Sequence, residues 1–195
     1  LPEVGQVIFT RNIPDIDGVA EAQKTLIIQN INPKGFGANH NAAFEHVTAP
    51  YFCVLNPDIV LPANPFPALL AALNSSGASV VAPAVVNSAG RPEDSARHFP
   101  TPLRLAAKLL GGHDGRYALQ PTQGPTPVDW VAGMFMLFSA EDFKAIGGFD
   151  EKFFLYYEDV DICTRLWKAG RPVMVCPRVQ VVHDAQRASR KNWQF

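Results

Sequence analysis

Hydrophobic positions along the chain fall into short apolar runs that alternate with helical patterns. β-Branched and apolar runs bounded by Asn, Pro or Gly predict strands. They lie at Gln6–Thr10, Thr25–Gln29, Tyr51–Leu55, Ala78–Val86, Met134–Ser139, Pro172–Cys176 and Arg178–His183. Helices are predicted at Gly37–His46, Pro67–Asn74, Ala140–Ile146 and Glu158–Ala169. Strands alternating with helices predict an α/β fold with a mixed, mainly parallel sheet flanked by helices.

One connection lacks a periodic pattern. Residues Asn87–Pro127 carry scattered Pro, Gly and His, with a single amphipathic piece at Pro102–Leu110. A connection this long is more often a functional lid or partly disordered than inert. We therefore expect Arg91–Pro127 to be the most mobile part of the domain and to help cover one side of a binding site.

Composition restricts the possible classes of protein. The 195 residues are 47% hydrophobic with a net charge of −1, which predicts a single domain over 1–195 and no nucleic-acid partner. The longest apolar run, Trp130–Phe138, is too short to span a bilayer. Three widely separated cysteines fit buried thiols in a reducing cytoplasm. Because Leu1 stands almost inside a strand without a preceding Met, we expect an excerpt of a longer protein.

Polar residues follow two of the predicted strands directly. Asn56-Pro57-Asp58 ends the run Tyr51–Leu55, and His183 ends the last strand. Ligand groups of α/β sheets gather at the carboxyl ends of strands. Asp58 and His183 would form a divalent-metal site if their strands end side by side. On its own the tripeptide is equally an ordinary turn, and a lone His is more often structural.

An acidic cluster opens the helix at Glu158–Ala169. The macrodipole favours the charged form of Asp159 in the first turn, where a capping role is the alternative. The adjacent Glu158 makes a general base possible and leaves open which acid acts. Asp161 and Arg165 are four residues apart and should pair.

Other segments carry weaker signals. The Gly35-Phe36-Gly37 turn lets a backbone approach a ligand, and Asn41 could present its amide from the next helix. A Trp130 face could bind a sugar ring, although a core Trp is equally plausible. Arg187, with Arg190 and Lys191, forms either a solvated basic tail or a phosphate contact.

Four blocks occur in an order that resembles family 2 inverting glycosyltransferases of the GT-A fold, especially bacterial rhamnosyltransferases. The blocks are Lys34–Asn41, Leu55–Asp58, Trp130–Met134 and Gly147–Asp161. The last block is highly specific, the second is weak alone, and together they cover roughly residues 5 to 190.

The resemblance implies roles for individual residues. Asp58, with Asn56 before it, corresponds to an Asp-x-Asp motif that holds Mg²⁺ or Mn²⁺ against the donor diphosphate, and His183 lies near that metal. Asp159 is the implied base, with Glu158 beside it. The further residues expected at the donor are Asn12, Asn41, Gly133 and Arg187, and those expected at the acceptor are Trp130 and Tyr156.

The implied reaction transfers a sugar, with inversion, to a hydroxyl of a saccharide or lipid-linked saccharide in cell-surface polysaccharide synthesis. dTDP-L-rhamnose is the first candidate donor, ahead of UDP- and GDP-sugars. The expected location is the cytoplasm, peripherally at the inner face of the membrane.

Two alternatives stay open. Family members begin with a strand and helix that have no counterpart before Leu1, and Arg11 stands where an acid is usual. Both departures favour a non-catalytic nucleotide-sugar-binding or scaffold module of the same fold. A nucleotidyltransferase would also place acids at strand ends, but no Gly/Arg/Lys-rich N-terminal signature is visible.

Overall fold

A computed structural model describes residues 1–13, 24–93, 95–102, 104 and 115–183. Its strands are β1 (Val7–Arg11), β2 (Thr25–Gln29), β3 (Tyr51–Leu55), β4 (Ile59–Val60), β5 (Val80–Asn87), β6 (Ala96–Arg97), β7 (Thr126–Pro127), β8 (Trp130–Val131), β9 (Phe135–Ser139) and β10 (Val173–His183). Its helices are α1 (Phe36–Phe44), α2 (Phe66–Ser76), α3 (Ala140–Ala145) and α4 (Glu158–Lys168). The predicted α/β alternation is therefore confirmed.

The central sheet is mixed and has the order β3-β9-β5-β10-β4, with β7 also paired to β10. Parallel pairing joins β5 to β10 in the longest ladder of this sheet, and it also joins β1 to β2 in a separate sheet. The other ladders of the central sheet are antiparallel. A short antiparallel pair, β6 with β8, lies apart.

The last two predicted strands form one. β10 runs unbroken from Val173 to His183, and its register against β5 shifts between Cys176 and Gln180. Pro177 lies within this irregularity, where its missing N–H costs no ladder hydrogen bond. The sequence analysis ended one strand at Cys176 and began the next at Arg178, whereas the structure accommodates Pro177 in a bulge of a single strand.

Both faces of the sheet are covered, which accounts for the continuous apolar run of β9. Met136 and Phe138 pack into one core cluster with Val54 and Ile162, on the side of α3 and α4. The alternate residues Phe135 and Leu137 belong to a second cluster together with α2 residues. Successive side chains of a strand point to opposite faces, so a strand covered on both sides needs apolar residues throughout.

The described ends of the long connection are packed, so the expectation of an unstructured lid is wrong for them. Ser95 and Ala96 are buried, and Ala96 pairs with Val131. Thr126 pairs with Val175 at the other end. Pro102–Leu110, the amphipathic piece, falls largely outside the described residues. None of the described helices is long and apolar enough to cross a membrane.

Arg165 joins α4 to the turn that follows α3. Its Nε donates to Asp161 at 2.8 Å, which confirms the predicted pair. Its two terminal nitrogens donate to the carbonyls of Ile146 and Gly148, each at 2.8 Å. This three-way contact uses the forked guanidinium, which a lysine ammonium cannot reproduce.

We expect Arg165→Lys to lower the free energy of unfolding by about 1.5–3 kcal/mol, the range for hydrogen bonds to charged groups. Chemical denaturation measures the change. Arg178→Lys is the matched control, because Arg178 is exposed and, among the described residues, its side chain hydrogen-bonds to the Thr122 carbonyl alone. That control should lose no more than about 0.5 kcal/mol. Equal effects of both substitutions would show that the three-way contact adds nothing.

Candidate functional site

The Asn56-Pro57-Asp58 turn leaves the sheet between β3 and β4. The Asn56 N–H donates to the carbonyl of Met134 at 3.0 Å, and the Ile59 N–H closes the turn onto the Asn56 carbonyl. Asp58 is thereby held just before β4 with its side chain only 15% exposed. Its Oδ1 is buried and has no hydrogen-bond partner among the described residues, a costly state for a carboxylate oxygen.

His183, the last residue of β10, lies beside this turn. Its register partners are Ile59 on β4 and Asn87 on β5. The Nε2 atom is 3.2 Å from Oδ2 of Asp58. β3 and β10 do not end side by side, because β9 and β5 lie between them in the sheet. Asp58 and His183 come together because β4, which follows Asp58, pairs antiparallel with the end of β10.

A third side chain was missed by the sequence analysis. Oε2 of Glu93 lies 2.6 Å from Nδ1 of His183. Glu93 sits in the connection that lacked a periodic pattern, and only the turn composition of Asn87–Arg91 hinted that the chain folds back after β5.

Asp58 and His183 suit a divalent cation in ligand type. A carboxylate oxygen and an imidazole nitrogen are ligands for Mn²⁺, and Mg²⁺ takes carboxylates together with substrate phosphates. The unpartnered Oδ1 of Asp58 supplies the free acceptor that such an ion needs. Among the described residues no three ligating side chains surround one point.

The acidic pair at the start of α4 has two different environments. Oδ2 of Asp159 accepts the Gly133 N–H at 3.1 Å, and Oδ1 accepts the Val160 N–H at 2.8 Å. Burial raises the pKa of Asp159, although these N–H groups oppose the rise. Glu158 is 5% exposed, and its buried Oε2 has no hydrogen-bond partner in the part of the chain that the structure describes. Burial, and then the neighbouring charge of Asp159, raises the pKa of Glu158.

Gly133 and Met134 connect the acidic pair to the Asp58 turn. The Gly133 N–H holds Asp159, and the carbonyl of the next residue, Met134, holds Asn56. The Gly133–Met134 segment therefore positions both Asp159 and the turn that carries Asp58. A Cβ on Gly133 would stand 3.0 Å from the Phe36 ring, so a side chain there would disturb this packing.

The aromatic segment before α4 is exposed and strained. Tyr156 and Tyr157 both have φ of 70°, a region that costs a non-glycine residue roughly 1–2 kcal/mol. Tyr156 is 71% exposed. The segment is fixed at Phe154, whose carbonyl accepts the Phe36 N–H at 2.9 Å. Strain of this kind clusters at functional sites, so the segment is a candidate contact for a ligand.

Trp130 is half-buried and packs against the core. Its indole N–H donates to the His98 carbonyl at 3.0 Å. Trp130 therefore has the packing role that the sequence analysis gave as an alternative. Its contact with an acceptor stays a prediction.

Two asparagines that the sequence predicted at the sugar donor form hydrogen bonds with backbone groups. Asn12 bonds the N–H and carbonyl of Lys34. Asn41 bonds the N–H and carbonyl of Phe149 and also the carboxylate of Glu151. Both N–H groups of the Asn41 side-chain amide are engaged in these hydrogen bonds. This geometry therefore argues against a contact between Asn41 and the sugar donor. Arg187 lies outside the described residues.

Comparison with known proteins gives the family context. Residues 11–194 match the family model "Glycosyltransferase like family 2". The chain is 29% identical over 166 residues to rhamnosyltransferase WbbL of Escherichia coli K12, covering 80% of this chain and 63% of the relative. It is 33% identical over 150 residues to N-acetylglucosaminyl-diphospho-decaprenol L-rhamnosyltransferase of Mycobacterium tuberculosis, covering 71% and 48%. The chain thus spans about half to two thirds of the length of these relatives.

The fold comparison agrees with the sequence match. The structure of GalNAc-T7 with UDP, GalNAc and Mn²⁺ superposes with a TM-score of 0.69 at 15% identity, covering 92% of this chain and 38% of that one. This likeness supports the predicted GT-A fold. With a match over almost its whole length, and with similarity to bacterial rhamnosyltransferases, the chain belongs to glycosyltransferase family 2.

Proposed function

We propose that this domain transfers a sugar, with inversion, from a nucleoside-diphosphate sugar to a hydroxyl of a saccharide acceptor, with the aid of Mg²⁺ or Mn²⁺. The observation that carries the proposal is the Gly133–Met134 segment, which ties Asp159 and the Asp58 turn to adjacent backbone positions. Such a reaction needs one group to take a proton and another to hold the leaving diphosphate.

Asp159 is the better base of the acidic pair. An acceptor hydroxyl must reach the base, and Asp159 is half-buried whereas Glu158 is 5% exposed. The hydroxyl oxygen forms its bond to the anomeric carbon on the face opposite the diphosphate. Its proton passes to the Asp159 carboxylate, and the bond from the anomeric carbon to the diphosphate oxygen breaks. A raised pKa makes Asp159 a stronger base than an ordinary aspartate.

Asp58 and His183 would hold the divalent cation at the diphosphate. When bound, such an ion offsets the negative charge that develops on the leaving group. The buried Oδ1 of Asp58 and Nε2 of His183 are the atoms available to it.

The relatives support a particular donor and class of acceptor for this proposal. Both named bacterial relatives are rhamnosyltransferases, which supports L-rhamnose from dTDP-L-rhamnose. The name of the mycobacterial relative gives it a lipid-linked saccharide acceptor. We infer an acceptor of that class at the exposed Tyr156 and at Trp130, and a place at the inner face of the membrane. Polysaccharide synthesis at the cell surface is the corresponding process.

A donor-turnover assay on the full-length protein tests this proposal. We expect release of dTDP from dTDP-L-rhamnose in the presence of Mn²⁺ or Mg²⁺, with loss of that release in EDTA. UDP- and GDP-sugars are the comparison donors, and NMR of the transferred sugar reports inversion. Donor binding without turnover in any metal would instead establish the non-catalytic binding module.

A further inference from the structure

The backbone after β5 turns back on itself and carries Glu93 towards the site. The Asn87 N–H donates to the Arg91 carbonyl, and Gly90, with φ of +73°, closes the turn onto the Asn87 carbonyl. Oδ1 of Asn87 also accepts the N–H groups of Ala89 and Arg91, each at 3.0 Å. The Glu93 N–H then donates to the Val85 carbonyl at 2.9 Å, which fixes the returning chain beside β5.

This turn places Glu93 at one edge of the His183 ring and leaves Asp58 at the other. β10 lies parallel to β5 with His183 opposite Asn87, so the end of β10 meets the base of the turn. Oε2 of Glu93 is 2.6 Å from Nδ1, and Oδ2 of Asp58 is 3.2 Å from Nε2. The side chains of Glu93, His183 and Asp58 are 24%, 17% and 15% exposed. Water therefore competes little with these contacts.

An imidazole that ligates a metal through one nitrogen usually donates from the other to a carboxylate, which fixes both the tautomer and the ring orientation. We propose that Glu93 is the positioning residue for His183. Glu93 accepts a proton held at Nδ1, and Nε2 is thereby aimed with Asp58 at the cation. This inference rests on the cation role of the proposed function, and it adds a residue that touches neither the cation nor the substrate.

The Glu93–His183 contact is tested first, without any metal. In ¹⁵N-histidine-labelled full-length protein, we expect a hydrogen-bonded Nδ1 proton of His183, assigned by its absence from His183→Gln. Glu93→Ala should lose that resonance. Glu93→Gln should keep it at a smaller downfield shift, because an amide oxygen still accepts. An unchanged resonance in Glu93→Ala, or its absence from the wild type, overturns the inference.

The consequence for the cation is tested by Mn²⁺ binding, followed by electron paramagnetic resonance in the presence of dTDP. Glu93→Ala should weaken Mn²⁺ binding about 10- to 100-fold, the usual effect of removing the partner of a ligating histidine. Glu93→Gln should fall between Glu93→Ala and the wild type. Glu45→Gln, at an exposed glutamate after α1, is the matched control and should bind as the wild type does.

The two measurements separate the possible failures. Wild-type Mn²⁺ affinity retained in a folded Glu93→Ala variant would overturn the positioning role while leaving the cation in place. A wild type that shows no Mn²⁺ binding, yet keeps the Nδ1 proton, would overturn the cation part of the proposed function. Circular dichroism of each variant confirms that the fold is retained.

Discussion

Asp159→Asn should lower kcat by at least about 10²-fold, the lower end of general-base effects, and leave donor binding largely intact. The amide keeps the shape of the side chain but cannot take the acceptor proton. One amide oxygen can still accept either the Gly133 or the Val160 N–H. Transfer rates with saturating donor, together with a donor titration by calorimetry, give both quantities.

The neighbouring acids supply controls in the same helical turn. Asp161→Asn removes a carboxylate that pairs with Arg165, and it should reduce stability more than turnover. Glu158→Gln distinguishes the two candidate bases. If Asp159→Asn transfers sugar at nearly the wild-type rate and Glu158→Gln does not, then Glu158 is the base and the exposure argument fails.

The pH profile provides a second readout of the same assignment. Because burial raises the pKa of Asp159, the acidic limb of kcat/KM should lie above the ordinary aspartate value of about 3.9. Activity falls as pH drops through that raised pKa. The stability effect has the opposite sense, since the folded state binds this proton more tightly than the unfolded state. That contribution is full at low pH and is lost as pH rises.

Elements with an unambiguous pattern could be predicted from the sequence. β2 and β3 begin and end where their apolar runs do. α4 begins at its run of acids and ends shortly before its closing glycine. β10 could not be predicted as one strand, because Pro177 signals a break locally. The parallel ladder with β5 overrides that signal through many hydrogen bonds and the burial of Val173 and Val175.

Only part of the candidate site, the residues that follow strand ends, could be predicted from the sequence. The general rule for α/β sheets placed Asp58 and His183 after strand ends, as the structure shows. The strands themselves, β3 and β10, are not neighbours, and it is the pairing of β4 with β10 that brings the two residues together. Glu93 depends on a turn in a connection without a periodic pattern, and no spacing relates it to His183. Asn41 looked available because its helix opens from a glycine turn. Its partners, Phe149 and Glu151, are more than 100 residues away in sequence, and only the tertiary structure shows them.

Asp58→Asn should remove most of the metal dependence of donor binding. The substitution keeps one neutral oxygen near His183 but removes the negative charge that a divalent cation requires. The buried Oδ1 position then no longer supplies a carboxylate ligand. We expect the tightening of dTDP binding by Mn²⁺ to fall about tenfold or more, or about 1.4 kcal/mol or more. Calorimetric titration of dTDP with and without Mn²⁺ measures it.

Comparison with His183 decides how the cation is held. His183→Ala removes the second ligand and should also weaken the Mn²⁺ effect, whereas Asp150→Asn, a carboxylate in another turn, should not. A loss in Asp58→Asn alone would reduce His183 to a structural residue of the β10 end. If Mn²⁺ strengthens dTDP binding equally in the wild type and in both variants, neither residue holds the ion. The buried oxygen of Asp58 would then need another explanation, because burying a carboxylate oxygen without a partner carries a desolvation cost.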